Sequence, residues 1–340
     1  MKKLLDDIQN QLLDSLPIAI YIIDNASADD TDEIGMGLAA VDSRFHYARN
    51  ATNIGGAANV AQAMRTGEGE YLWLLSDHMR LHEGAIERLL KYLETEQPDL
   101  VYCGIEQYGT PTIPDSSKPV LIANLSPSQL HEFLFCTSNL AGLLVKRDVV
   151  KASAERIEAY KSLSYPHLGV WEYLLAMPEV KLGILPNISH FNSDGRREGY
   201  AWFQSGVLNF GILIDDLGSR FSFRGISAKK MMYVQKFKNT LFIRIVDSIC
   251  GMRHEKITDK MMADFGRIFG WKAMLINTFI QILLLFPMFQ RLVIRRVIIL
   301  ISNFLKNPAS FYFQINQFFP ELKKEFMAVK IIGEQNANQF

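Results

Sequence analysis

The chain has 340 residues, about two domains at ~150 residues each. Apolar residues make up 49% and charged residues 21%, which excludes global disorder and a fibrous repeat. The 36 basic and 36 acidic residues cancel, which argues against a general nucleic-acid binder, so no nucleic acid is expected as a partner. Cys103, Cys136 and Cys250 are too few and too scattered for a disulfide framework or a zinc site. They fit a reducing compartment. The opening MKKLLDDIQ carries acid early and has no apolar run, so no signal peptide is expected.

Residues 2–16 read as a helix. Residues 18–23 (IAIYII) form a short β-rich run that ends at Asp24-Asn25, and 45–47 are a second candidate strand. Residues 59–64 read as helix. Residues 71–75 (YLWLL) read as a buried strand that stops at Ser76-Asp77. Helical apolar spacing follows over 84–93, and 100–102 and 141–145 are further candidate strands. Strands alternating with helices predict an α/β domain with a mostly parallel, Rossmann-like sheet flanked by helices. Ligands of such sheets bind at the carboxyl ends of strands, where Asp24 and Asp77 both lie.

Beyond about residue 227 the pattern changes to helices: 229–253, 257–269, then the strongly apolar runs 274–286 and 291–305. The expected organisation is an α/β domain over 1–226, a C-terminal α-helical region over 227–332 and a frayed polar tail over 333–340. Residues 265–320 contain no Asp or Glu but six basic residues: Arg267, Lys272, Arg291, Arg295, Arg296 and Lys306. The rest of the chain then carries 30 basic against 36 acidic residues. The run 274–286 is shorter than the ~20 residues a spanning helix needs, and Arg295-Arg296 interrupts the next run, so a membrane span is disfavoured. Two readings stay open. One is an interfacial helix pair over 265–320 on an anionic membrane surface. The other is a buried subdomain or the face of a homo-oligomer.

Three motifs carry chemistry. In 24–31 (DNASADDT), short polar side chains follow a strand, so that Asp24, Asn25 and Ser27 can line a tight loop. The same pattern also makes a helix N-cap loop. In 53–59 (NIGGAAN), Gly55-Gly56 before a helix allow close backbone approach to a phosphate, with Asn53 and Asn59 alongside. In Ser76-Asp77-His78, a carboxylate and an imidazole at a strand end suit a divalent metal such as Mn2+ or Mg2+ on a diphosphate, or simply a solvated turn.

In this order, these pieces resemble the family 2 glycosyltransferases of GT-A fold. The resemblance is good over 16–93, where IYIIDNASADDT, NIGGAANVAQAMRTG and YLWLLSDHMRLHEGAIERLL match the family's ordered motifs, and it continues more weakly to about residue 175. It implies transfer of a sugar from a nucleotide-sugar donor, usually with inversion. It places Asp24 on the base and Asp77 on the ribose or the metal, with His78 where a metal-binding Asp is usual. UDP-sugars are the commonest donors in the family.

The chain departs from the family pattern in three places. Ser-Asp-His replaces the DxD motif. The acidic pair that usually opens the acceptor-side helix is absent, which leaves His167 and Glu172 as candidates for the catalytic base. Pro166 at a helix start puts His167 on the first turn. The strand that normally precedes the first helix is missing. Further on, 189–197 is polar: His190 is expected to complete a metal site with Asp77 and His78, and Arg196 to pair with phosphate.

The overall expectation is a glycosyltransferase on the cytoplasmic face of the cell membrane, acting on a glycan or lipid-linked acceptor of surface polysaccharide. The rival is a non-catalytic or truncated GT-A-fold scaffold. A nucleotidyltransferase is disfavoured, because no basic phosphate loop lies near the first strand.

Overall fold

A computed structural model describes residues 1–13, 16–106, 110–111, 118–191, 204–221, 258–269 and 293–294. Arg196 and most of the expected regions 227–332 and 333–340 lie outside the described residues. The chain divides into two compact units, Met1–Arg196 with Ser219–Gly225, and Arg197–Gly218 with Ile226–Phe340.

The first unit is α/β. Helix α1 (Lys2–Gln9) precedes β1 (Ile20–Asp24), α2 (Thr31–Val41) and β2 (Phe45–Arg49). No strand before β1 is found among the described residues. Strands β1 and β2 pair in parallel through the α2 crossover, with Ile20 opposite Phe45 and Asp24 opposite Arg49. Among the described residues they form a sheet of two. Helix α3 (Gly56–Thr66), β3 (Tyr71–Trp73), β4 (Met79–Leu81), α4 (Ala85–Glu96) and β5 (Leu100–Ile105) follow. Then come β6 (Val120–Leu121), α5 (Pro127–Thr137), β7 (Leu143–Lys146), α6 (Arg147–Ala152), α7 (Ala154–Ala159), α8 (Val170–Ala176) and β8 (Lys181–Phe191).

The second sheet has the order β3-β7-β5-β8-β4, with β6 on the edge of β8. It corrects the expected mostly parallel sheet: here only β5 and β8 are parallel, and the other pairings are antiparallel. Parallel neighbours need a long crossover connection. Strand β7 enters between β3 and β5 and runs against both. Alternation of strands and helices along the chain does not disclose that insertion.

Every residue of β5 is buried, as expected for a central strand covered on both faces. One apolar core joins the two sheets. It takes Leu4, Leu5 and Ile8 from α1, Ile22 and Phe45 from the small sheet, Met79 and Leu81 from β4, Ile86 and Leu89 from α4, and Val101 and Ile105 from β5. Helix α1 is also locked by charge: Arg80 Nε and Nη2 each donate to the Asp7 carboxylate at 2.6 Å, and Leu81 N donates to Asp7 Oδ2 at 3.0 Å.

Near its end, β8 carries a bulge. Cys103 stands opposite Leu185, but Ile105 stands opposite Ser189, so β8 spends two extra residues. Asn187 takes φ 54°, and a Cβ on Gly104 would lie 2.8 Å from Pro186 Cα, so only glycine fits there. Arg88 of α4 clamps the bulge by donating to the Pro186 and Asn187 carbonyls at 2.6 and 3.0 Å.

Of the second unit, the structure describes the wide helical turns Gln204–Asn209, the helix that continues them and the helix Asp259–Phe269. Met262 and Phe265 are buried, and that helix packs against Gln204–Asn209.

Candidate active site

At the carboxyl ends of β1 and β2, the structure gathers Asp24, Asn25, Ser27, Asn53, Gly55 and Asn59. The Asp24 side chain is fully buried. Its Oδ1 accepts from Ser27 N at 2.8 Å, and its Oδ2 accepts from Tyr47 Oη at 2.9 Å and Arg49 Nη1 at 2.6 Å. Burial pushes this carboxyl up, but the hydrogen bonds from Ser27 and Tyr47 and the Arg49 charge outweigh it and hold it below its ordinary value. Arg49 also donates to the Ser27 carbonyl at 2.7 Å. Between them, Ala26 takes φ 59°, a strained value for a residue with a Cβ. Strain of this kind is held only where neighbours over-determine the turn, as Ser27 and Arg49 do here.

Four asparagines brace the adjoining loop. Asn25 Nδ2 donates to Asn53 Oδ1 at 2.8 Å, and Asn25 Oδ1 accepts from Ile54 N at 2.9 Å. Asn50 Nδ2 reaches Asn25 Oδ1 at 3.1 Å and Asn59 Oδ1 at 2.9 Å. Asn59 Nδ2 donates to the Ile23 carbonyl at 3.2 Å. Gly55 takes φ 83° to start α3, and a Cβ on Gly55 or Gly56 would meet open space. The first turn of α3 carries no side-chain cap, so its N–H groups face that opening. A strand end, a braced loop and an open helix start suit a nucleoside diphosphate: the phosphates at the helix, the base at the strand end.

Ser76-Asp77-His78 forms the turn between β3 and β4. Asp77 and His78 are both about half exposed, and His78 Nε2 lies 3.6 Å from Asp77 Oδ1. One carboxylate and one imidazole side by side fit a divalent ion that takes its remaining ligands from phosphate or water. The expected third ligand, His190, is not with them. The antiparallel register sets His190 opposite Arg80, and its ring lies 4.8 Å from that of His82.

The two base candidates part company. His167 lies in a short 3-10 turn, Pro166–Gly169, and is 3% exposed. Its Nε2 lies 3.0 Å from the Ser138 carbonyl. Burial drives its pKa down to about 4, against the carbonyls of Ser138 and Thr137, which favour the charged ring. The ring is therefore neutral at neutral pH and closed to solvent, and it joins the end of α5 to the turn that leads into α8. Glu172 keeps 26% of its side chain exposed and is held on both oxygens by Arg156, at 2.9 Å from Nη2 to Oε1.

Sequence reasoning missed Tyr47, Arg49 and Asn50. The strand was expected to stop at Tyr47, whereas β2 runs to Arg49 and brings it opposite Asp24. A basic residue two positions beyond Tyr47, across from an Asp at a strand end, was the signal available.

The site and the sheets around it define a GT-A fold. The solved structures of S. aureus TarS 1–349 have the same fold. One matches with a TM-score of 0.50 and 11% identity over 81% of this chain and 78% of that one. The one in complex with UDP-GlcNAc matches with a TM-score of 0.50 and 11% identity over 96% and 87%. Residues 1–140 match the Glycosyl transferase family 2 profile. The abequosyltransferase RfbV of Salmonella typhimurium (strain LT2) is 31% identical over 110 residues, 32% of this chain and 33% of the relative. The match thus spans about a third of that relative's length. Over residues 1–140 the chain is thus similar to the family 2 glycosyltransferases.

Two predictions follow from the geometry. Asp24→Ala leaves the Tyr47 hydroxyl, Ser27 N–H and Arg49 without their acceptor, and urea unfolding should show a loss on the order of 2 kcal/mol. His167 is neutral when folded but titrates near its ordinary value of 6.5 when unfolded. The unfolded chain therefore binds the extra proton, and stability present above pH 6.5 is lost as pH falls toward 4, by on the order of 3 kcal/mol. Urea midpoints measured across that range should show the loss in the wild type and a flatter curve in His167→Gln.

Proposed function

We propose that the chain transfers a sugar from a UDP-sugar to a hydroxyl of a glycan or lipid-linked acceptor in surface polysaccharide biosynthesis. The observation that carries this reading is the braced strand end, with the buried Asp24 carboxylate beside the open start of α3. TarS 1–349 has been solved in complex with UDP-GlcNAc, and the Salmonella relative is an abequosyltransferase. Both support a nucleotide-sugar donor and a polysaccharide product.

In this reading Asp24, Asn25 and Ser27 orient the base, and Asn53, Gly55, Gly56 and Asn59 shape the loop that receives the diphosphate. Arg196 is proposed as a further phosphate partner. Asp77 and His78 would hold a divalent ion, Mn2+ or Mg2+, which when bound offsets charge on the leaving diphosphate. Glu172 is the proposed base, because it keeps solvent access and Arg156 orients it. It would take the proton from the acceptor hydroxyl as that oxygen attacks the anomeric carbon and the nucleoside diphosphate leaves, a single displacement that inverts the centre.

The rival reading, a non-catalytic scaffold, draws on the Ser-Asp-His turn and on the pairing of β1, among the described residues, with β2 alone. Calorimetric titration of UDP and GDP with and without Mn2+ separates the two. UDP binding that is strengthened by Mn2+ and weakened in Asp77→Ala supports the transferase; no nucleotide binding under any condition supports the scaffold. Glu172→Gln should keep UDP binding and lower turnover by ~100-fold or more. Unchanged turnover would leave Glu172 only as the partner of Arg156.

We further infer a peripheral site of action on the cytoplasmic face of the membrane, from the acid-free stretch 265–320. No helix among the described residues is long and apolar enough to cross a membrane. The full chain should sediment with vesicles of anionic lipid at low salt and be released at high salt. Failure to bind them at low salt would favour the subdomain or oligomer reading of that stretch.

A further inference from the structure

Three strand ends converge on one face of the larger sheet. On β8, His190 stands opposite Arg80 of β4, so the two side chains share a face. His82 lies two residues beyond Arg80 and keeps that face. Its N–H donates to the Ile188 carbonyl at 3.0 Å, which extends the β4–β8 ladder. On the other side of β8, Glu106 follows Ile105, and its N–H donates to the Ser189 carbonyl at 3.0 Å. The backbones of all three residues are thus fixed by the sheet.

Their side chains meet. One ligand atom each from His82, Glu106 and His190 lies within 4.8 Å of the others. No other group of three such residues occurs among the described residues. His190 Nδ1 is buried and has no hydrogen-bond partner. A buried imidazole nitrogen without a partner calls for an ion, a water or another explanation. Two imidazoles and one carboxylate, with Glu106 at the exposed side, are a donor set that binds Zn2+ and leaves a position open. The Glu106 carboxylate supplies negative charge for a cation. Arg80 is the basic neighbour, and Asp7 already neutralises it through two hydrogen bonds.

The bulge supplies an independent argument. Bulges that re-aim a side chain are common beside functional sites. This one is built from a residue at positive φ, a glycine that nothing larger can replace, and an arginine clamp on both carbonyls. It sets the level of Ser189 and His190 against Ile105 and Glu106.

We propose that His82, Glu106 and His190 form a binding site for a divalent transition metal of the zinc type, separate from the Asp77-His78 turn. The ion ties the ends of β4, β5 and β8 together and leaves an open coordination position on the exposed side. The proposal does not depend on sugar transfer.

The test uses the full chain, stripped with chelator and titrated with Zn2+ by calorimetry, and with Co2+ by visible d–d absorption. The expected result is one Zn2+ bound per chain, with a Co2+ spectrum typical of nitrogen and oxygen ligands. Glu106→Gln, a change at an exposed residue, and His82→Ala should each weaken binding at least tenfold, on the scale of ligand loss in metal sites. Asp77→Ala should leave it unchanged. Circular dichroism of each variant checks that the fold persists. No Zn2+ binding by the wild type, binding that survives both Glu106→Gln and His82→Ala, or binding lost in Asp77→Ala would each overturn the assignment.

Discussion

The buried carboxylate of Asp24 is the constraint on which the candidate site depends. Strand β1 has one hydrogen-bonded neighbour among the described residues, so the ladder alone gives its end little support. Asp24 supplies what the ladder does not. It takes a backbone N–H from its own loop, a phenol from mid-β2 and a guanidinium from the last residue of β2. A carboxylate with no such partners would be costly at that depth, and the same three donors would be orphaned without it. The strained turn at Ala26 is held by this arrangement, since Ser27 is bound on its N–H by Asp24 and on its carbonyl by Arg49.

This bracing limits what Asp24 could offer a bound base. Its two oxygens already accept three hydrogen bonds. An ionised carboxylate has roughly four acceptor positions, so little capacity is left for a nucleobase donor. Its larger effect is to fix the polar backbone around it. The asparagines act in the same way. Asn25, Asn50, Asn53 and Asn59 bond chiefly to one another and to the backbone, and so hold the start of α3 at a set distance from the end of β1. The space beside Gly55 and Gly56 is open.

Much of this half of the site was legible from local order: a β-rich run, an Asx-rich turn, paired glycines and a helix follow each other within 50 residues or so. Arg49 was missed because its strand was expected to end at Tyr47, and its partner is set by a parallel register that no local pattern states. His167 misled for a physical reason. A histidine after a proline at a turn start has the same local sequence whether it faces a ligand or the core, and only packing puts it at 3% exposure. His190 was singled out, but with the wrong companions. Its true neighbours, His82 and Glu106, come from strands whose order, β5-β8-β4, owes nothing to their order along the chain.

The bulge on β8 shows how finely that meeting is set. Between the Cys103 and Ile105 pairings β5 advances two residues and β8 four. Because side chains alternate with a period of two, an insertion of two leaves every later side chain on its original face. What changes is level: each later residue of β8 is drawn back by about 6.6 Å along the strand. Without the insertion Asn187 would stand opposite Ile105, and His190 would run past Glu106. The glycine at 104, the left-handed Asn187 and the Arg88 clamp are the local means of holding that displacement in place. The apolar pairs Leu100 to Leu182 through Cys103 to Leu185 are in register before the bulge begins, and beyond it the change of level seats Ile188 in the core as well as setting the polar residues Ser189 and His190 against Ile105 and Glu106.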